Sequence, residues 1–312
     1  MEKKLDIVTI GESLVELSSN TSLVISENFT KFFGGDTLCT AVSALRSDNS
    51  VGYITKIGND PFGEYLLDAL QLEGLDTSQI KLDNGQNGVY FIGRTKEKNT
   101  LQYYRKKTAA SKLSLEDINF DYINSAKLFY ATGFVQSLSL NCSEAIREIY
   151  TFAKENKIIT AYDPNYSPYV WEANEAREAF EAVANNIDIL FLRTDTDADA
   201  IFETDSVDEI IKKISDLAIS TIVIKEYKKG IHVVHAGNRE FIEYTPTEII
   251  DATGCDAAFN GAFLSAMLNG ATPYVAGKYA NALSMLQIQK VGAVKSIPNK
   301  KAVQKLYEEI YG

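Results

Sequence analysis

Short apolar runs rich in β-branched and aromatic residues recur along the chain, each followed by a stretch with helical spacing of its apolar positions. The runs are Leu5–Ile10, Val51–Ile57, Leu128–Thr132, Ile158–Tyr162, Ile187–Leu192 and Thr221–Ile224. Between them the spacing predicts helices over Thr37–Leu45, Gly63–Leu72, Ser143–Glu155, Glu175–Ala184 and Val207–Leu217. Nearly continuous apolar strands alternating with helices predict a mostly parallel sheet covered on both faces, the three-layer α/β/α arrangement. Beyond Cys255 the pattern is wholly helical, over Ala257–Leu268, Tyr274–Gln289 and Ala302–Tyr311.

One region breaks the rhythm. Val89–Thr95 and Thr100–Lys106 read as two strands joined by the polar turn Lys96–Asn99, with no helix between them. With Leu14–Leu17 and Leu23–Ile25 they predict a small separate sheet, a lid over a site at the carboxyl ends of the parallel strands. The expected organisation is a single α/β domain over residues 1–312, with the lid drawn from about 12–26 and 87–107. Val89, Phe91 and Leu101 would leave the lid with an apolar edge or face, so a homodimer joined through the lids is expected.

Composition narrows the partners. An apolar fraction of 45% and a charged fraction of 23% are those of an ordinary globular protein, and a net charge of −11 disfavours nucleic acid and anionic lipid. The amino terminus passes from charge straight into a strand-like run, and no apolar stretch reaches the roughly 18 residues needed to span a bilayer. Three scattered cysteines, Cys39, Cys142 and Cys255, fit reduced thiols in a cytoplasm better than a disulfide framework.

Two glycine-rich turns carry the candidate chemistry. Asp251-Ala252-Thr253-Gly254-Cys255-Asp256-Ala257 opens a helix, and such a loop presents backbone N–H groups and the positive dipole end to an anion. It reads equally as an ordinary helix start capped by Asp251 or Thr253. Gly34-Gly35-Asp36 also precedes a helix; the glycines allow close approach of a polar ligand and Asp36 can accept from sugar hydroxyls, or Asp36 simply caps the turn. His232-x-x-His235 does not suggest a metal site, because on a strand the two rings point to opposite faces. Cys39 and Cys255 are expected near the cleft, as structural thiols rather than reactive ones.

These turns stand in order with Gly58-Asn59-Asp60-Pro61-Phe62-Gly63, Tyr103-Tyr104-Arg105, Thr108-Ala109-Ala110-Ser111, Asp163-Pro164-Asn165-Tyr166 and Trp171. From residue 5 to about 298 the series resembles the ribokinase-like (phosphofructokinase B) carbohydrate kinases, and within them the 2-keto-3-deoxygluconate kinase branch. The resemblance implies the ribokinase-like fold and transfer of a phosphoryl group from ATP, with Mg2+, to a hydroxyl of a sugar acid. It implies sugar contacts at Gly34, Gly35, Asp36, Tyr90, Tyr103 and Arg105, the last pairing with the substrate carboxylate. It also implies nucleotide contacts at Asn165, Lys225, Gly230, Thr253 and Asn281, and an anion hole at Gly254 and Cys255.

The departures from that pattern are concentrated at the phosphoryl end. The family's loop reads Asp-Thr-Thr-Gly-Ala-Gly-Asp-Ala-Phe; without gaps its catalytic aspartate falls on Ala257, and Asp256 stands where glycine is expected. Cys39 replaces an asparagine, Ser167 an arginine, Arg193-Thr194-Asp195-Thr196 an Asn-x-x-Glu pattern and Tyr227 a glycine. Loss of a general base costs roughly 10²–10⁴-fold in rate, so Asp256 as a shifted base is one reading. A weakened or inactive homologue that binds sugar, or regulates, is the other.

Overall fold

The computed structural model describes residues 4–95 and 99–312. Following the chain, β1 (Leu5–Ile10) leads to β2 (Leu14–Ser19), β3 (Thr30–Gly34), α1 (Asp36–Leu45), β4 (Val51–Gly58), α2 (Pro61–Glu73) and β5 (Ile80–Asp83). Next come β6 (Gly88–Arg94), β7 (Asn99–Tyr104), α3 (Phe120–Asn124), β8 (Ala126–Thr132), α4 (Gly133–Gln136), α5 (Leu140–Glu155) and β9 (Ile159–Asp163). The remainder is α6 (Ala173–Glu181), β10 (Ile189–Arg193), α7 (Asp199–Phe202), α8 (Val207–Ile214), β11 (Thr221–Glu226), β12 (Gly230–His235), β13 (Asn238–Glu243), α9 (Cys255–Leu268), α10 (Pro273–Gln287) and α11 (Lys300–Tyr311).

Among the described residues the large sheet has nine strands in the order β13-β12-β11-β10-β9-β8-β1-β4-β5, parallel except at β12 and β13. Successive side chains of a strand point to opposite faces. Ile189 and Phe191 therefore join the core beneath α1, α9 and α10, while Leu190 and Leu192 join the core beneath α5 and α8. Burial on both faces explains why these strands read as unbroken apolar runs. Local chemistry sets the helix starts: Asp60 accepts from the N–H groups of Phe62 and Gly63 while Pro61 opens α2, and Thr272 with Pro273 repeats the device at α10. No helix among the described residues is long and apolar enough to cross a membrane.

The small sheet runs β3-β2-β6-β7. Leu23–Ile25, expected as one of its strands, is an exposed turn and coil; Thr30–Gly34 takes that place, paired antiparallel with β2. Part of the expected Lys96–Asn99 turn, residues 96–98, lies outside the described residues. Leu101, expected on an outward face, is paired with Ile92 and faces inward with Tyr90 and Tyr103, whereas Val89 packs against the main core. The apolar surface the sheet does expose centres on Phe29, Phe91 and Tyr104, whose rings pack edge to face.

Buried ionic contacts fasten this sheet to the body. Arg94 of β6 donates to Asp251 at 3.2 Å and to Asn20 at 3.0 Å, and also bonds Ser18; Asp251 is only 2% exposed. Glu16 of β2 accepts from the Tyr90 hydroxyl at 2.7 Å and from the Ala293 N–H at 3.1 Å. Removing one partner of a buried pair strands the other charge, so Arg94→Ala should cost about 3–5 kcal/mol of unfolding free energy. Urea denaturation measures this, and a loss below about 1 kcal/mol would show that the contact is replaceable.

Candidate active site

The carboxyl ends of the parallel strands, the amino end of α9 and the inner face of the small sheet enclose a cleft of about 440 Å³. Of the residues singled out in the sequence, it brings together Gly35, Asp36, Tyr90, Tyr103, Asn165, Thr253, Gly254, Cys255 and Asp256. Two glycines shape its rim because no other residue fits. Gly35 has φ of 144° and a Cβ there would run into the Glu12 carbonyl; Gly254 has φ of 75° and a Cβ would lie 2.8 Å from the Cys39 sulfur. Gly34 stands just behind, where a side chain would strike the Tyr90 hydroxyl.

At the inner end, Asp36 accepts from the Thr37 N–H at 2.7 Å, from Asn165 Nδ2 at 3.3 Å and from the Thr132 hydroxyl. Burial raises its pKa above the usual carboxylate value, against the pull of those donors. Asp36 is the first residue of α1 rather than its N-cap, which is Gly35, though its carboxylate does serve one first-turn N–H, that of Thr37. Tyr90 spends its hydroxyl on Glu16, so it offers a ring wall, 5.6 Å from that of Tyr103.

At the outer end no side chain caps α9, which excludes the ordinary capped start; Asp251 instead holds the N–H and hydroxyl of Thr253, at 3.0 and 2.7 Å. Ala257 lines the cleft at the position expected of a base and is 8% exposed. Asp256 lies 3.4 Å from Arg193 Nη1 and 3.4 Å from Lys225 Nζ. Partial burial pushes its carboxyl up, but Lys225 and Arg193 outweigh that and hold it below the usual carboxylate range. A carboxylate so stabilised is a poor proton acceptor, which weakens the shifted-base reading. Beside it, burial pushes the Cys255 thiol up to about 12, and Cys39 is raised further, so neither supplies a thiolate.

A second set of polar groups supports this end from below. Lys225 donates to the Asp256 carbonyl at 3.1 Å and to Asn260 Oδ1 at 2.9 Å, and Asn260 donates to Asp163 at 2.6 Å. Asp197 accepts from the N–H groups of Tyr166 and Arg193, and burial beside Asp163 pushes its carboxyl up to about 7. Asn260 was not anticipated; its only signal in the sequence is a polar residue on the buried face of an apolar helix.

Three expected positions lie elsewhere. Arg105 follows the end of β7 and turns into the body, where Nε meets Glu12 at 2.5 Å, Nη1 meets Ser137 at 3.0 Å and Nη2 meets the Phe134 carbonyl at 2.9 Å. It borders a neighbouring cavity rather than the cleft. Gly230 starts β12 beneath the Ile242 carbonyl, and Asn281 of α10 donates to the Tyr311 hydroxyl at 2.7 Å; neither lines the cleft. His232 and His235 on β12 bond Glu226 and Thr221 respectively.

The cleft, with a helix amino end and an acid-bearing glycine turn at the ends of parallel strands, is an arrangement suited to a phosphate-bearing ligand. Residues 4–300 match the family of pfkB carbohydrate kinases, and the chain belongs to it. It is 27% identical to 2-dehydro-3-deoxygluconokinase of Thermoproteus tenax, over 99% of this chain and 96% of that one. It is 29% identical to the enzyme of the same name from Dickeya dadantii, over 93% and 96%. Among solved structures, 2-dehydro-3-deoxygluconokinase of Thermotoga maritima superposes with a TM-score of 0.90 at 21% identity, over 98% and 99%. Ribokinase of Thermotoga maritima superposes with a TM-score of 0.81 at 19% identity, over 97% and 99%. These neighbours establish the ribokinase-like fold.

Because Asp256 is held below its ordinary value of 3.8, its ion pairs stabilise the folded state above that pH and lose their effect as pH falls through the folded-state pKa. Asp256→Asn should therefore lower stability at neutral pH by under about 1 kcal/mol, since half the side chain is screened by solvent. The difference from wild type should shrink below about pH 4. Thermal melts across pH check this; a difference that persists at low pH would mean the charge is not its source.

Proposed function

We propose that the protein transfers the γ-phosphoryl of ATP to a hydroxyl of a small sugar or sugar acid, at a rate lowered by the loss of a catalytic base. The observation that supports it most is the uncapped amino end of α9 opening into the same cleft as Asp36. The sugar lies between Asp36 and the rings of Tyr90 and Tyr103, with the small sheet as its lid. The phosphoryl group lies at Thr253, Gly254 and Cys255, with Lys225 and Asn165 nearby. Kinship to 2-dehydro-3-deoxygluconokinases supports a keto sugar skeleton.

ATP supplies the phosphoryl group. The residues present do not fit a protein-held magnesium: Asp256 is paired with two cations, and among the described residues no group of three or more His, Cys, Asp or Glu could hold a metal ion. Magnesium would be carried by the phosphates of the nucleotide rather than by side chains of this chain. A sugar-binding or regulatory role without turnover is the second reading, favoured by Ala257 and by the ion pairs of Asp256. Free Cys39, Cys142 and Cys255 support a cytoplasmic location. The exposed Phe29, just ahead of the edge strand β3, and Tyr104, at the end of the edge strand β7, support a homodimer through the lids, and light scattering at tens of micromolar should return twice the chain mass. A monomer there would exclude that assembly.

Phosphoryl transfer is tested with labelled ATP and a panel of sugars and sugar acids. Wild-type turnover should lie at least about a hundredfold below an ordinary kinase rate of roughly 1–100 s⁻¹. The double change Asp256→Gly with Ala257→Asp restores a carboxylate and frees the turn, and should raise the rate. A flat response with sugar binding intact would place the defect on the nucleotide side. Wild-type turnover of several per second that vanishes in Asp256→Asn would instead make Asp256 the working base.

A further inference from the structure

The sugar end of the cleft differs from what a sugar acid needs. Among the described residues the charged groups lining the cleft are Asp36, Arg193 and Asp256, and Arg193 lies at the phosphoryl end. There its guanidinium is shared between Asp195, at 3.1 Å, and Asp256, at 3.4 Å. The inner end holds one acid, Asp36, faced by Asn165 and by the rings of Tyr103 and Phe134. A ligand carboxylate placed there meets a like charge; no described cation lines that end, and the one cation whose field reaches Asp36 and Tyr103 from behind the lining is Arg105.

Arg105, the residue the sequence offered for that role, is committed elsewhere. All three of its nitrogens are bonded, its guanidinium lies 4.0 Å from the centre of the Phe134 ring, and it is 7% exposed. Drawing it toward a ligand would strip Glu12, which is 1% exposed, of its one cation. Glu12 already has a second oxygen, Oε2, without a partner. Ser167, at the rim of the cleft, contributes only a neutral hydroxyl.

We infer that the cleft selects an uncharged sugar, whose hydroxyls donate to Asp36 and whose carbon face packs on Tyr103 and Phe134, over the sugar acid of the same carbon skeleton. This rests on the reading of the cleft as the sugar site, and it holds whether or not phosphoryl transfer survives. The two ligands share every hydroxyl but one; where the neutral sugar carries a terminal hydroxyl that can donate to a carboxylate, the acid carries a carboxylate that offers only acceptors there.

The test is calorimetric titration of the full chain with matched pairs that differ only at the terminal carbon, such as D-fructose beside 2-keto-D-gluconate, extended to other ketoses and aldoses with their onates. The neutral member of the preferred pair should bind at least about tenfold more tightly. Asp36→Asn should weaken the neutral sugar and strengthen the acid, and Ser167→Arg should strengthen the acid alone. A merely structural Asp36 would lose both ligands together, which would overturn the assignment. Tighter binding of the acid to wild type would overturn it as well. Binding of no member of any pair would overturn it together with the sugar site itself. Absent turnover with neutral-sugar binding intact would leave this inference standing and count only against the kinase rate.

Discussion

Asn260 is the pivot of the molecule. Its amide donates to Asp163 at the end of β9 and its oxygen accepts from Lys225 at the end of β11, so one buried side chain of α9 ties the helix to two strand ends. Tyr130 of β8 receives the second N–H of the same amide, at 3.1 Å. Burying these groups is tolerable only because each is satisfied; an unpaired polar atom in that position would cost several kcal/mol. The result fixes where the amino end of α9 opens, and with it the position of the cleft.

The same cluster explains why neighbouring carboxyl groups behave differently. Asp163 and Asp197 are buried close to one another, and desolvation wins, raising both. Asp256 sits nearer the surface between Lys225 and Arg193, and there the charges win, lowering it. An acid in the first turn of α9 also suits the helix dipole. The chain has thus placed a stable anion of its own at the amino end of α9, the proposed phosphoryl position, and has put a methyl, Ala257, where the family likeness leads one to expect a proton acceptor. Under the proposed phosphoryl transfer, both features would slow turnover.

Much of the large sheet was legible because strands buried on two faces leave unbroken apolar runs, and those from Leu5–Ile10 to Thr221–Ile224 each mark a strand to within two residues. The small sheet was harder. Thr30–Gly34 begins with exposed Thr30 and Lys31, so its sequence carries little periodicity, while the apolar Leu23–Ile25 misled because its exposed residues pack on nothing that a short-range pattern reveals. At the site, glycines with forced geometry, Gly35 and Gly254, were readable from their turns. The fate of Arg105 was not, since its partner Glu12 lies 93 residues away and is recruited only when β1 and the end of β7 meet. Gly230 and Asn281 were placed by likeness alone, and the likeness is weakest in the nucleotide half.

On the proposed function, sugar and phosphoryl donor meet between Asp36 and the amino end of α9. Hydrogen exchange read by mass spectrometry, with a non-hydrolysable ATP analogue and a saturating sugar, tests it directly. Local opening reports where a ligand orders the backbone. Added protection is expected over residues 252–258 with the analogue and over residues 34–38 with the sugar. Protection confined to other segments, with these two unchanged, would contradict it.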